Sequence, residues 1–177
     1  DPIFTSRPSF SSGHEALSEQ VDELLYGQIR GEPKPLFVDT NAFIALFDQD
    51  DAYHDRATAV IDGIEDGRLQ YGPIFTSRYV LSETATTLLY GVDHRAAVKA
   101  LETIRGSSTF NILEVDESLF ERTAEQFAAY DDHRISFVDQ LNAVLSAEFD
   151  IEHIFAFEDD FRTLGLTRVP VDTGESM

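Results

Sequence analysis

Short apolar segments alternate with longer segments of helical spacing from residue 35 onward, and this alternation limits the folds open to the chain. The apolar segments are predicted β-strands over residues 35–39, 69–76, 109–115, 153–157 and 166–169. The segments between them are predicted helices over residues 41–47, 52–65, 78–90, 93–105, 116–130 and 136–149. Strands separated by helices predict the α/β class, with a central parallel sheet covered by helices on both faces.

Polar residues at the helix starts support these assignments, because short side-chain oxygens accept the unpaired N–H groups found there. Ser77, Asp93 and Asp116 each stand at the start of a predicted helix. Asp50 and Asp51 are predicted to cap the helix over residues 52–65 in the same way. These signals indicate where each helix begins to within a residue or two.

Residues 1–34 are predicted to be an extension that precedes a main domain of residues 35–177. Apolar residues recur at helical spacing from residue 14 to 30, which predicts an amphipathic helix. This helix has three open roles: packing on the domain, forming a dimer, or covering a site as a partner protein would. The segment Pro2–Arg7 also recurs unchanged at Pro73–Arg78, and no physical reason explains that repeat.

The chain carries 33 acidic residues against 13 Lys and Arg, which gives a formal charge of −20. The acids are spread along the sequence, and this favours adaptation to high salt over binding of a basic partner. Such a charge argues against simple electrostatic attraction to nucleic acid. The chain has no cysteine, which excludes thiolate metal sites and disulfides. Because no apolar run could span a bilayer and no signal peptide is evident, we expect a cytoplasmic protein without membrane contact.

Several carboxylates follow or lie within apolar runs instead of polar segments. They are Asp39, Glu83, Asp139 and Glu158, the last followed by Asp159 and Asp160. Burying a carboxylate is costly unless it is paired or binds a metal. In parallel α/β sheets, ligands bind beyond the carboxyl ends of the strands, and Asp39 and the cluster at 158–160 follow strands there.

A carboxylate cluster at such an edge suits the hard cations Mg²⁺ and Mn²⁺, which prefer oxygen ligands. Cations of this kind support phosphodiester hydrolysis. Thr40 and Asn41 lie beside Asp39, where they would orient a carboxylate or contact a phosphate. Arg78 and Arg134 are predicted near the site, either to bind phosphate or to pair with its acids.

Other phosphate-handling classes fit less well. A haloacid-dehalogenase-type phosphatase needs an aspartate where Asn41 stands, and a receiver domain needs a lysine near its end, whereas the only lysines are Lys34 and Lys99. A Gly-rich phosphate loop of the P-loop kind is also absent from the sequence.

Four elements in order carry a family resemblance. They are Val38–Asn41, Glu83 in a helix, Ser136–Asp139, and Ala156–Phe161. Over residues 35–171 the chain resembles PIN-domain ribonucleases, and VapC-type toxins of toxin–antitoxin pairs above all. This resemblance implies a three-layer α/β/α fold and Mg²⁺- or Mn²⁺-dependent cleavage of RNA. It also implies a homodimer, a cognate antitoxin, and metal ligands at Asp39, Glu83, Asp139 and Glu158.

The last motif departs from the family pattern, which commonly reads Thr-x-Asp-x-x-Phe. Here Ala156 replaces the threonine and Glu158 replaces the aspartate. Asp159 and Asp160 are therefore alternative ligands. The departure also leaves open an alternative function, a catalytically weak PIN-like module that binds RNA or a partner protein.

Overall fold

In a computed structural model of the chain, residues 31–174 are described. The predicted helix over residues 14–30 and the first copy of the repeated segment lie outside these residues. The second copy, Pro73–Arg78, forms the end of a strand and the first residue of the following helix.

The described residues form five strands and seven helices in alternation. The strands are β1 (Lys34–Val38), β2 (Tyr71–Ser77), β3 (Phe110–Leu113), β4 (His153–Ala156) and β5 (Thr167–Pro170). The helices are α1 (Thr40–Phe47), α2 (His54–Glu65), α3 (Arg78–Gly91), α4 (His94–Gly106), α5 (Glu117–Ala129), α6 (Phe137–Glu148) and α7 (Asp160–Thr163). Among residues 31–174, no helix has the length and apolar character needed to cross a bilayer.

The five strands form one parallel sheet in the order β3-β2-β1-β4-β5. Right-handed crossovers place α1 to α4 on one face of this sheet and α5 to α7 on the other. The packing agrees, since α3 contacts α1 and α4, whereas α6 contacts α5 and α7. The predicted three-layer α/β/α fold with a central parallel sheet is therefore confirmed.

The two central strands explain the uninterrupted apolar runs in the sequence. Leu36, Phe37 and Val38 of β1 are buried in succession, as are residues 154–156 of β4. A strand covered by helices on both faces needs apolar side chains on both sides, so its hydrophobic residues run on without alternation.

The helix caps follow the prediction with one exception. Ser77, Asp93 and Asp116 each accept a backbone N–H in the first turn of their helices. The predicted cap at Asp50 and Asp51 is wrong, because α2 begins only at His54. The Asp51 side chain instead accepts the N–H of Tyr53 at 2.8 Å, an Asx-turn that occupies the cap oxygen before the helix starts.

β1 and β4 lie side by side, and the chain leaves them toward opposite edges of the sheet. The pairing continues past the end of β1, where the Asp39 N–H donates to the carbonyl of Phe155 at 3.1 Å. Where the chain leaves two adjacent parallel strands in opposite directions, a crevice opens at the carboxyl ends of those strands. The residues that follow β1 and β4 therefore meet at this crevice.

Candidate metal centre

Asp39 lies at the floor of the crevice, between the end of β1 and the start of α1. It is 1% exposed. Its carboxylate accepts the N–H of Asn41 at 3.2 Å and the side-chain amide of Asn142 at 3.0 Å. Burial, and then the charge of Asp139, raise the pKa of Asp39 well above its ordinary value, although the N–H groups of Asn41 and Thr40 oppose that shift. A charged Asp39 is thus costly here without a compensating cation.

Asp139 approaches from the first turn of α6. The Ser136 hydroxyl donates to its carboxylate at 2.7 Å, and the Asp139 N–H donates back to the Ser136 oxygen at 3.1 Å. This reciprocal pair both caps the helix and fixes the carboxylate. Burial raises the pKa of Asp139 to about 6, the Ser136 hydrogen bond opposes the shift, and the charges of Glu158 and Glu83 add to it.

Glu158 completes the group from the loop after β4. Carboxylate oxygens of Asp39, Asp139 and Glu158 all lie within 4.8 Å of one another, although Glu158 itself is exposed. None of the three forms an ion pair with Lys or Arg within residues 31–174. Their negative charge therefore has no protein counterion in the described part of the chain.

The donor set fits a hard divalent cation. All three groups supply carboxylate oxygen, which is the ligand that Mg²⁺ and Mn²⁺ prefer. Two further oxygens next to Asp39 are buried without a hydrogen-bond partner. Thr40 Oγ1 belongs to the residue that follows Asp39, and Asn142 Oδ1 belongs to the side chain whose amide donates to Asp39. Buried oxygens without donors and carboxylates with raised pKa values both indicate that a cation would be stabilised here.

The remaining predicted residues surround this group at different distances. Glu83, half-buried on α3, and Asp160, at the start of α7, lie outside the three-carboxylate group, but their charges still raise the pKa of Asp139. Thr40 is buried at the start of α1. Asn41 lines the open cleft beside Glu158 and Asp160.

Asp159, which the sequence offered as an alternative metal ligand, pairs with an arginine. Its carboxylate accepts a hydrogen bond from the guanidinium of Arg168 at 2.7 Å. Arg168 is 2% exposed, and its guanidinium also donates two hydrogen bonds to the carboxylate of Asp172, at 2.8 and 2.9 Å. Through the Arg168 hydrogen bond, the pKa of Asp172 falls far below its usual range. Arg168 thus ties the loop that carries Glu158 to β5.

The arginines predicted near the site do not pair with its acids. Arg78 forms an exposed ion pair with Glu114, at the end of β3. Arg134 is exposed in the loop before α6. Of the two predicted roles, pairing with the site acids is therefore wrong for Arg78, whose partner lies outside the carboxylate group, and binding of phosphate stays a prediction.

Two supporting residues were not predicted. Asn142 lies one helical turn after Asp139, and polar residues on the same face of an apolar helix as a buried acid are the signal that would have found it. Arg168 was missed although it stands inside the apolar strand Thr167–Pro170. A buried cation needs a partner just as a buried carboxylate does.

Comparisons with known proteins agree with this geometry. The family model for the PIN domain matches residues 36–165, and the chain belongs to this family. Membership implies nuclease activity.

Two solved structures refine the assignment. The crystal structure of Mycobacterium tuberculosis VapC20, a sarcin–ricin loop cleaving toxin, is 32% identical, with a TM-score of 0.67, and the match covers 74% of this chain and 95% of that one. VapBC2 from Rickettsia felis, bound to a DNA fragment from its promoter, is 13% identical with a TM-score of 0.56, covers 76% and 96% of the two chains, and supports the fold alone. No curated protein sequence matches the chain. The resemblance to VapC-type toxins expected from the sequence is confirmed.

Proposed function

We propose that the protein is an endoribonuclease of the VapC toxin type, which hydrolyses RNA phosphodiester bonds with Mg²⁺ or Mn²⁺. The observation that carries the proposal is the convergence of three carboxylates within 4.8 Å without a protein counterion. The likeness of the chain to VapC20, a toxin that cleaves the sarcin–ricin loop, supports RNA as the substrate class.

Asp39, Asp139 and Glu158 would hold the cation, with Glu83 close enough to add charge or a further ligand. A divalent ion held there would polarise the phosphoryl oxygen and lower the pKa of water. The side chains of Asn142 and Ser136 keep Asp39 and Asp139 in one orientation by donating hydrogen bonds to their carboxylates. Asp160 is an alternative ligand, and Thr40 and Asn41 would support Asp39 or contact the phosphate.

The proposal extends to the partners of the protein. A toxin of this type needs a protein that holds it inactive, so we infer a cognate antitoxin. We also propose a homodimer and a cytoplasmic location. Residues 1–34 are proposed as an extension to a nuclease domain of residues 35–177, in keeping with a family match that begins at residue 36. Deleting residues 1–34 and comparing oligomer size and activity tests the role of the extension.

The decisive experiment compares the full chain with two variants on single-stranded RNA, in molar salt, with and without Mn²⁺. Asp39→Asn should abolish metal-dependent cleavage while circular dichroism shows a folded protein. The matched control is Asp62→Asn, since Asp62 is exposed near the end of α2, and it should leave cleavage unchanged. Full activity in Asp39→Asn would contradict the proposal.

The exposed position of Glu158, where the family commonly has aspartate, favours a second candidate function. In it, the chain is a catalytically weak module that binds RNA or a partner. Failure to bind Mn²⁺ at millimolar concentration, together with no cleavage in high salt, would support this alternative over the first.

A further inference from the structure

A pair of stacked aromatic rings borders the metal centre. The rings of Tyr53 and Phe157 lie parallel, with centroids 4.4 Å apart and planes inclined by 6°. Phe157 is buried and makes an edge contact with Phe155 of the core, while the guanidinium of Arg56 lies 5.8 Å from its ring centroid. Tyr53 is therefore backed by a fixed ring.

Tyr53 remains accessible despite this stacking. It is 43% exposed although Phe157 stacks on one face of its ring. Both rings line a cleft of about 500 Å³, together with Asn41, Asp51, Glu158 and Asp160. An exposed aromatic ring that lines a cleft beside the metal centre is able to stack on a ligand, because burial of the ring by that ligand would be favourable.

The platform lies next to the proposed cation site along the chain. Glu158 directly follows Phe157, so their Cα atoms are about 3.8 Å apart. Tyr53 and Glu158 also line the same cleft, so a phosphate held at the carboxylate group would place a neighbouring base in the cleft that the Tyr53 ring borders.

We propose that Tyr53, backed by Phe157, is a stacking platform for one unpaired nucleobase of the RNA, beside the phosphodiester that is cleaved. This inference rests on the proposed function, because it places the base relative to the cation site. Aromatic side chains bind bases in this way without regard to sequence, since every base has a π-face.

The chemistry of the rim favours a base over other occupants. Acidic side chains repel a phosphate that lacks a cation, so the neutral base is the part of a nucleotide that suits this wall. One Asp51 oxygen accepts the Tyr53 N–H. The other Asp51 oxygen and the Asn41 side-chain amide line the cleft and form no hydrogen bond with residues 31–174, and they match the polar edge of a base. An apolar side chain would leave both unpaired.

A fluorescence experiment tests the stacking directly. The chain has no tryptophan, so Tyr53→Trp creates a single reporter on the platform. Tyr90→Trp is the matched control, because Tyr90 is 84% exposed at the far end of α3. The probes are a short single-stranded RNA of mixed sequence and an abasic ribose–phosphate oligomer of equal length, each with Ca²⁺. RNA should quench Tyr53→Trp, the abasic oligomer should not, and Tyr90→Trp should respond to neither.

Cleavage kinetics give a second measurement. Tyr53→Leu should raise KM for RNA by about 5- to 100-fold, whereas Tyr53→Phe should stay near the wild type, since it keeps the ring. Circular dichroism checks that each variant is folded, and the comparison of KM between Tyr53→Leu and Tyr53→Phe tests the proposal if Tyr53→Trp does not fold.

Three results would overturn the inference. The first is equal quenching of Tyr53→Trp by RNA and by the abasic oligomer. The second is quenching of Tyr53→Trp by an arginine-rich peptide, added as a third probe, but not by RNA. The third is an unchanged KM for RNA in folded Tyr53→Leu. The last of these, combined with inactive Asp39→Asn, would leave the nuclease proposal intact and refute only the platform.

Discussion

Asp39 and Asp139 reach the metal centre from the buried ends of regular elements, whereas Glu158 reaches it from an exposed loop. Each buried aspartate is oriented by hydrogen bonds within or between neighbouring elements, from Asn142 and from Ser136. The loop of Glu158 is instead held from β5, through Arg168 and Asp159. The buried half of the site is thus fixed by its own elements, and the exposed half by the ion pair between Asp159, the residue after Glu158, and Arg168 of β5.

The difference teaches that one site can depend on two kinds of interaction. Burial makes the first half rigid but raises the pKa values of its acids. Ion pairing leaves the second half accessible, and its order depends on residues that never touch a substrate. The two halves should therefore respond differently to substitution.

The largest contrast is expected in metal binding and cleavage. Asp139→Asn should lower cleavage by about 100-fold or more, because a fixed charge at the reacting group is lost. Glu158→Gln should lower it less, and Glu158→Asp should stay within about tenfold of the wild type, since a carboxylate is retained. Isothermal titration with Mn²⁺ and single-turnover cleavage measure both effects. Equal losses in Asp139→Asn and Glu158→Gln would erase the distinction between the halves.

Arg168→Met tests the ion pair that holds the loop. The substitution removes the buried partner of Asp172, which then keeps only its ion pair with the exposed Arg162, and it should lower the free energy of unfolding by up to about 3 kcal/mol. The contact with Asp159 contributes little to this figure, since that side chain is 94% exposed. Urea denaturation measures the change.

The control for that substitution is Arg68→Met. Arg68 pairs with Asp66 on the surface, where such a pair contributes about 0–1 kcal/mol. A loss in Arg168→Met no larger than in Arg68→Met would show that the buried pair of Arg168 with Asp172 stabilises the fold no more than a surface pair does.

The raised pKa of Asp139 predicts an unusual pH dependence in metal-free protein. The folded state keeps the Asp139 proton up to about pH 6, while the unfolded state releases it near pH 4, so the folded state binds more protons between these values. Stability from this group therefore falls as pH rises from about 4 to 6, by up to about 3 kcal/mol. Denaturation of wild type and Asp139→Asn across this range measures it. The same slope in both proteins would contradict the assignment.

Ser136→Ala should give the smallest effect. Loss of the cap should lower the free energy of unfolding by about 1 kcal/mol. Because the Ser136 hydrogen bond lowers the pKa of Asp139, its removal should raise that pKa further and weaken Mn²⁺ binding. Ser107→Ala, distant at the end of α4, is the control for metal binding. Unchanged Mn²⁺ affinity in Ser136→Ala would show that the hydroxyl only caps the helix.

The sequence predicts the buried half better than the exposed half. Asp39 and Asp139 stand at positions set by local rules, the end of an apolar strand and the first turn of a capped helix. The role of Tyr53 depends on Phe157, far along the chain, and that of Arg168 depends on Asp159, on the other side of α7. No local pattern identifies either partner. The Asp51 cap failed because the same side chain can close a turn or start a helix.

The pairing of β1 with β4 has a consequence for how this site tolerates change. Neighbouring strands in any sheet lie about 4.8 Å apart, a distance fixed by backbone hydrogen bonds and independent of side chains. Both strands end at the crevice, and the Asp39 N–H still bonds to Phe155 there. Backbone hydrogen bonds thus set the spacing between the first residues that follow the two strands. The protein can carry a formal charge of −20 without any change in that spacing.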